Sequence, residues 1–114
     1  MAEGKPEFLK GTLDLLILKI VALGPNHGYA IAQRLQQISK DFFQVHQGSL
    51  YPALHRLIKR RWISSEAGTS ENNRRAKFYE LTAAGRKRLR EETDSWNRLA
   101  SAIACALSQQ PEET

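Results

Sequence analysis

Cysteine is almost missing from this chain of 114 residues: Cys105 is the only one. No internal disulfide can form, and a zinc site built on cysteines is excluded. Nothing cationic stands close to Cys105 in sequence to activate its thiol, which argues against a redox switch. Histidine is scarce too, and His27, His46 and His55 have no metal-ligand spacing with one another or with a carboxylate. Long apolar runs are missing: the longest, Leu15 to Leu23, is broken by Lys19 and is too short to span a bilayer. The start, Met1-Ala2-Glu3-Gly4-Lys5-Pro6-Glu7, is polar and carries no signal-peptide pattern. No nucleophile–base set and no phosphate-cradling glycine loop occurs, so catalysis is not expected. These absences predict a cytoplasmic protein with no metal, no cofactor, no membrane contact and no enzymatic activity.

What is present is an uneven charge. The net charge is +5, with a pI near 9.7. Residues 48–88 carry ten basic and three acidic groups, whereas residues 1–47 are nearly balanced and residues 89–114 are net acidic at −3. A positive block inside a chain with a neutral start and an acidic end suggests a localised polyanion-binding surface. The length fits one hydrophobic core that needs no disulfide or metal.

The strongest local pattern lies in that block, at Gly48-Ser49-Leu50-Tyr51-Pro52-Ala53-Leu54-His55-Arg56-Leu57 and on to Arg61. Leu50, Leu54, Leu57 and Ile58 recur at helical spacing and form an apolar stripe. Ser49, Pro52, His55, Arg56 and Lys59 point the other way, a polar and cationic face without a carboxylate. Ser49 is the expected N-cap, which puts Pro52 in the first turn. Such a helix suits a DNA major groove, although a merely solvated basic face has the same pattern. Two helices precede it: Gly11 to Leu23, apolar over more than half its circumference, and His27 to about Ser39, with Ile31, Leu35 and Ile38 on one face. Gly24-Pro25-Asn26 separates them. This order is that of a helix-turn-helix with one support helix. Tyr29 reads as a core-edge residue.

Beyond Arg61 the period changes. Trp62-Ile63-Ser64-Ser65 leads into a strand and Lys77-Phe78-Tyr79-Glu80-Leu81 reads as its partner, with Gly68 to Arg75 as the turn. Arg74, Arg75 and Lys77 make the descending arm basic, as suits a wing lying along phosphates. Thr82 caps a last helix from Ala83 to about Ser108, about 39 Å long. Leu89, Thr93, Trp96, Ala100, Ile103 and Leu107 step by heptad spacing along it, and Cys105 lies off that seam. The seam needs a partner, most simply the same helix of a second subunit. The expected class is therefore mainly α with a small β-hairpin: a winged helix-turn-helix DNA-binding domain over residues 1–82 and a long C-terminal dimerisation helix with a short tail over residues 83–114.

His27-Gly28-Tyr29-Ala30-Ile31, Gly48 to Leu57, Arg74-Arg75-Ala76-Lys77-Phe78-Tyr79 and Leu81-Thr82-Ala83-Ala84-Gly85-Arg86, in this order, resemble the PadR family of bacterial transcriptional regulators, in its short type with one C-terminal helix. The resemblance implies a homodimeric repressor of double-stranded DNA that reads a palindromic operator. Carried over by position, it implies DNA contacts at Ser49, Tyr51, Pro52, His55, Arg56 and Lys59 in the recognition helix, and at Arg74, Arg75 and Lys77 in the wing. Arg56 is the candidate for bidentate reading of guanine and Lys59 for a phosphate. In some relatives, aromatic residues of the last helix line a cavity between subunits for flat aromatic effectors, which makes Trp96 a candidate effector contact as well as an interface anchor. Two features depart from the family pattern: many relatives have glycines and an unbroken basic run at the wing, whereas here Asn72-Asn73 precede the run and Ala76 interrupts it, and Arg61 stands where relatives often have Gly. The competing reading is a winged-helix protein-interaction module whose basic face is incidental.

Overall fold

The computed structural model describes residues 11–24, 26–69 and 75–112. Pro25, Asn72, Asn73 and Arg74, which the sequence places in turns or at the wing, lie outside the described residues. Four helices and a small sheet follow in the order α1 (Thr12–Ala22), β1 (Asn26–His27), α2 (Gly28–Ile38), α3 (Gln47–Lys59), β2 (Ile63–Thr69), β3 (Arg75–Leu81) and α4 (Ala83–Leu107). This is the winged helix-turn-helix with a long terminal helix that the periodicities predict.

α1 is the centre of the core. It packs against α2, α3, α4 and β3, which explains an apolar surface too wide for a helix covered on one side only. Ile17, Leu18 and Ile20 are fully buried there and meet Ile31 and Leu35 of α2 and Leu50, Leu54 and Leu57 of α3. Phe43 and Val45 close the core beneath the loop after α2, while Phe42 and Ile38 stay exposed.

The start of α3 differs from expectation. The helix begins at Gln47 with His46 as its N-cap, and the backbone N–H groups of Ser49 and Leu50 both donate to the His46 carbonyl, at 3.0 and 2.9 Å. Ser49 is thus inside the first turn, and Pro52 lies in the second turn instead of the first. The carbonyl that Pro52 leaves without its helical donor belongs to exposed Gly48, where water can take the donor's place. Local propensity favoured Ser as the cap, but the chain entering from Val45 sets the first helical residue.

The far end of α3 closes in a Schellman motif. Trp62 N–H donates to the Leu57 carbonyl at 3.1 Å and Arg61 N–H to the Ile58 carbonyl at 2.9 Å, with Arg61 at φ 63°. The arginine therefore makes the same left-handed exit that a glycine would make. A non-glycine residue in this conformation is strained by about 1–2 kcal/mol, partly offset by its smaller unfolded-state entropy. Arg61→Gly is accordingly expected to stabilise the fold by about 0.5–1 kcal/mol, read as a rise in the urea midpoint at unchanged m-value.

The sheet has the order β1-β3-β2, antiparallel throughout, with Ile63 opposite Leu81 and Thr69 opposite Arg75. Two corrections to the sequence reading follow. Gly68, Thr69 and Arg75 are strand residues and not turn residues, and a third strand exists, because Asn26 and His27 pair with Tyr79 and Phe78. Gly68 lies within the ladder under the Phe78 ring, which would have to shift for a Cβ, since the two would come within 2.8 Å.

α4 begins bolted to the exit of α3. Thr82 N–H donates to the Trp62 carbonyl at 3.0 Å, Thr82 Oγ1 donates to the Arg61 carbonyl at 2.7 Å, and the same oxygen accepts from Gly85 N–H at 2.9 Å. Arg60 and Arg88 lie over the Trp62 ring at 5.3 and 4.8 Å. Leu89 packs on the core, but from Thr93 to Leu107 every residue is exposed and the helix runs out alone, stretching the molecule to 68 Å.

Candidate nucleic-acid interface

The outward face of α3 is built by subtraction. Leu50, Ala53, Leu54 and Leu57 are consumed by the core, which leaves Ser49, Pro52, His55, Arg56 and Lys59 exposed, as their spacing implies. Within that face, Arg56 is engaged. Its Nη2 donates to Asp14 Oδ1 of α1 at 2.7 Å, and the carboxylate is only 15% exposed. Asp14, which the sequence marks simply as a water-facing residue, instead ties the recognition helix to the support helix. One guanidinium nitrogen is used, and the remaining N–H groups are still available for an outside acceptor.

β3 carries exposed Arg75 and Lys77 beside this helix. Between the two elements runs an open cleft of about 750 Å³. Its walls are Tyr51, Pro52 and His55 of α3, Arg75, Lys77 and Tyr79 of β3, and the His27-Gly28-Tyr29 entry to α2. The two-residue strand β1 brings that entry alongside β3, so a short pairing that sequence patterns could not reveal shapes the site. Gly28 lets the Tyr51 ring lie close: a Cβ would stand 2.9 Å from Tyr51 Cε1 and the ring would have to shift. Tyr51 is 42% exposed, with its ring laid on Gly28. Tyr29 is 57% exposed at the cleft and is not a core-edge residue. His27 Nδ1 accepts from Ala30 N–H at 3.2 Å, which makes Nε2 the donor of the neutral ring. Burial, and then the neighbouring Tyr51, push the Tyr79 phenol above its ordinary value.

α4 places Trp96, Leu99, Ile103 and Leu107 in the open, with Trp96 at 38% exposure. Thr93 and Ala100 of the expected seam are exposed beside them, whereas Leu89 is half-buried against its own core. Leu99 was missed by a strict heptad, although it stands three residues from Trp96 and four from Ile103. Among the described residues, no group of three or more His, Cys, Asp or Glu could hold a metal, and no helix is long and apolar enough to cross a membrane.

A support helix, a helix-turn-helix, a two-stranded wing and a projecting terminal helix define a winged helix-turn-helix protein with a basic outward face on α3. Comparison with known proteins places it more narrowly. The transcriptional regulator PadR-like family matches residues 17–91, and the chain belongs to that family. A transcriptional regulator of Mycobacterium tuberculosis is 33% identical over 85% of this chain and 87% of its own length. A PadR-like transcriptional regulator from Bacillus cereus superposes with a TM-score of 0.78 at 29% identity, covering 90% of this chain and 97% of that one. A PadR family transcription regulator from hypervirulent Clostridium difficile gives a TM-score of 0.74 at 28% identity, covering 86% of this chain and 100% of that one.

Proposed function

We propose that this transcriptional regulator is a homodimeric repressor that binds a pseudo-palindromic operator in double-stranded DNA. The observation that carries the reading is the exposed, carboxylate-free face of α3, with Arg75 and Lys77 of β3 beside it. Ser49, Tyr51, Pro52, His55, Arg56 and Lys59 would enter the major groove, and Arg74, Arg75 and Lys77 would follow the phosphate backbone. Two such units related by a dyad would reach successive major grooves about 34 Å apart. The dyad would run between the α4 helices, where Trp96, Ala100, Ile103 and Leu107 form the apolar stripe. The free part of α4 supports this, because a helix of this length is marginal alone in water and its apolar side has no cover among the described residues. A flat aromatic effector seated near Trp96 would release DNA by changing the angle between the two α4 helices. Rigid attachment of α4 to the exit of α3 at Trp62 would carry that change to the recognition helix.

The test is a titration of the protein against the DNA upstream of its own coding sequence and a scrambled duplex, at several salt concentrations. Tight binding to the native duplex, two chains per site and an affinity that falls steeply with salt are expected. Equal weak binding to both duplexes would sink the specific regulator and leave the basic face to a protein partner. In the same assay Arg56→Ala should weaken native-duplex binding by about 1–3 kcal/mol while sedimentation still reports a dimer. Unchanged affinity would show that Asp14 holds Arg56 permanently and that another residue reads the base.

A further inference from the structure

The outward face of α3 has two flanks, and they are built differently. Tyr51, His55 and Ile58 border the cleft toward the wing, where Arg75 and Lys77 stand and no carboxylate lines the wall. Arg56 is on the opposite flank, toward α1, and there it meets an acid: its Nη2 donates to Asp14 Oδ1 at 2.7 Å. The pair is asymmetric. The Asp14 side chain, in the first turn of α1, is 15% exposed, whereas that of Arg56 is 49% exposed. The carboxylate is thus the fixed partner and the guanidinium the outward one. Helix stability does not explain the contact. An acid in the first turn favours the α1 dipole without needing an arginine, and an ion pair with one half-exposed partner contributes little to folding. Nor does a carboxylate suit a surface meant for a polyanion, since it repels phosphate. What the contact provides is orientation. A free arginine on a DNA-facing helix is drawn to whichever phosphate is nearest, and such a contact carries no sequence information. Asp14 takes a single N–H of the guanidinium, fixes its plane and leaves the other donors as a fork for a guanine edge.

We propose that Asp14 is a positioning residue for sequence reading, which aims the Arg56 guanidinium at a base edge and keeps it off the phosphates. This role rests on the DNA-binding reading above and adds to it a specificity determinant on the support helix, outside the helix-turn-helix itself. Asp14 acts through Arg56 and not on the DNA. It decides how strongly one base pair is preferred, because a side chain already held in its reading geometry loses less freedom on binding. It also sets a penalty on indiscriminate binding, because the guanidinium that it holds is not free to neutralise a phosphate.

The test uses the full chain, a duplex that it enriches from a random pool, and single base-pair substitutions across that duplex, read by fluorescence anisotropy. Arg56→Ala identifies the pair that Arg56 reads, as the position where substitution no longer matters. Asp14→Asn keeps the shape of the side chain and removes its charge. At that same pair it should cut discrimination about fivefold, the scale of immobilising one flexible side chain, and leave the other positions as in wild type. Asp14→Ala, which cannot accept a hydrogen bond there, should cut it further. On a scrambled duplex both variants should bind more tightly than wild type, with a salt slope steeper by about 1, because the released guanidinium takes a phosphate. In the Arg56→Ala background neither change at Asp14 should alter discrimination at any position. A purely structural tie would instead lower Tm and weaken every duplex alike with base preference intact, and that outcome would overturn the positioning role. So would tighter binding of Asp14→Ala to the enriched duplex with undiminished preference, which would make Asp14 a lock that withholds Arg56. Preferences unchanged in Arg56→Ala would also overturn it while leaving the DNA-binding reading intact. A wild type that enriches no duplex would overturn that reading, and this role with it.

Discussion

Gly85→Ala is expected to destabilise this protein by about 3 kcal/mol or more, the scale of severe backbone overlap in a packed site. On an exposed helix the same change normally stabilises by up to about 1 kcal/mol, because alanine is the better helix former. Here a Cβ would stand 1.9 Å from the Trp62 carbonyl oxygen and 2.8 Å from its carbon. That oxygen is backbone, held in place by the Thr82 N–H that donates to it at 3.0 Å. The helix must therefore lift off the exit of α3, and the cap from Thr82 to Gly85 N–H is lost with it. A thermal melt should show Tm falling on the order of 15 °C. An unchanged or higher Tm would mean that α4 does not start against Trp62. Such a result would also remove the proposed route from α4 to the recognition helix.

Trp96→Asp should convert the proposed dimer to monomer. Trp96 is the largest side chain on the free stretch of α4, and it is exposed among the described residues. Interface tryptophans of this kind contribute at least about 2 kcal/mol each, and a two-fold axis places the substitution in both subunits. The dissociation constant of the dimer should rise on the order of a thousandfold, more if the new carboxylates face each other. Sedimentation velocity reads the association state directly. DNA affinity should fall with it, because two weakly held half-sites replace one bivalent contact. Far-UV circular dichroism should lose helix signal as the unsupported end of α4 frays. A Trp96→Asp protein that remained dimeric would move the interface elsewhere and leave Trp96 as a surface residue.

Much of this protein could be read from its amino acids, because periodicity encodes which side of an element faces the core. The four helices, the hairpin and the polar outward face of α3 all follow from the spacing of Leu, Ile and Val against charged residues. The cap at Thr82 and the break at Gly24 frame them. Motif order alone was enough to suggest the family to which the chain belongs. The projecting α4 was legible for a simpler reason: about 39 Å of helix exceeds what the preceding core can cover.

Pairings between distant segments were not legible. Asn26 and His27 form a strand only because β3 offers them an edge, and two residues carry no period of their own. Asp14 meets Arg56 across 42 positions of sequence, so the partner of the expected base reader depends on how α1 crosses α3. Tyr79 looks like one more aromatic in a strand. Only the approach of α2 and α3 makes it part of the wall of a cleft that also holds Arg75 and Lys77. Spacing along a chain determines which way each side chain points on its own element. The tertiary arrangement decides what it meets there, because contact energies act through space between residues whose sequence separation carries no signal.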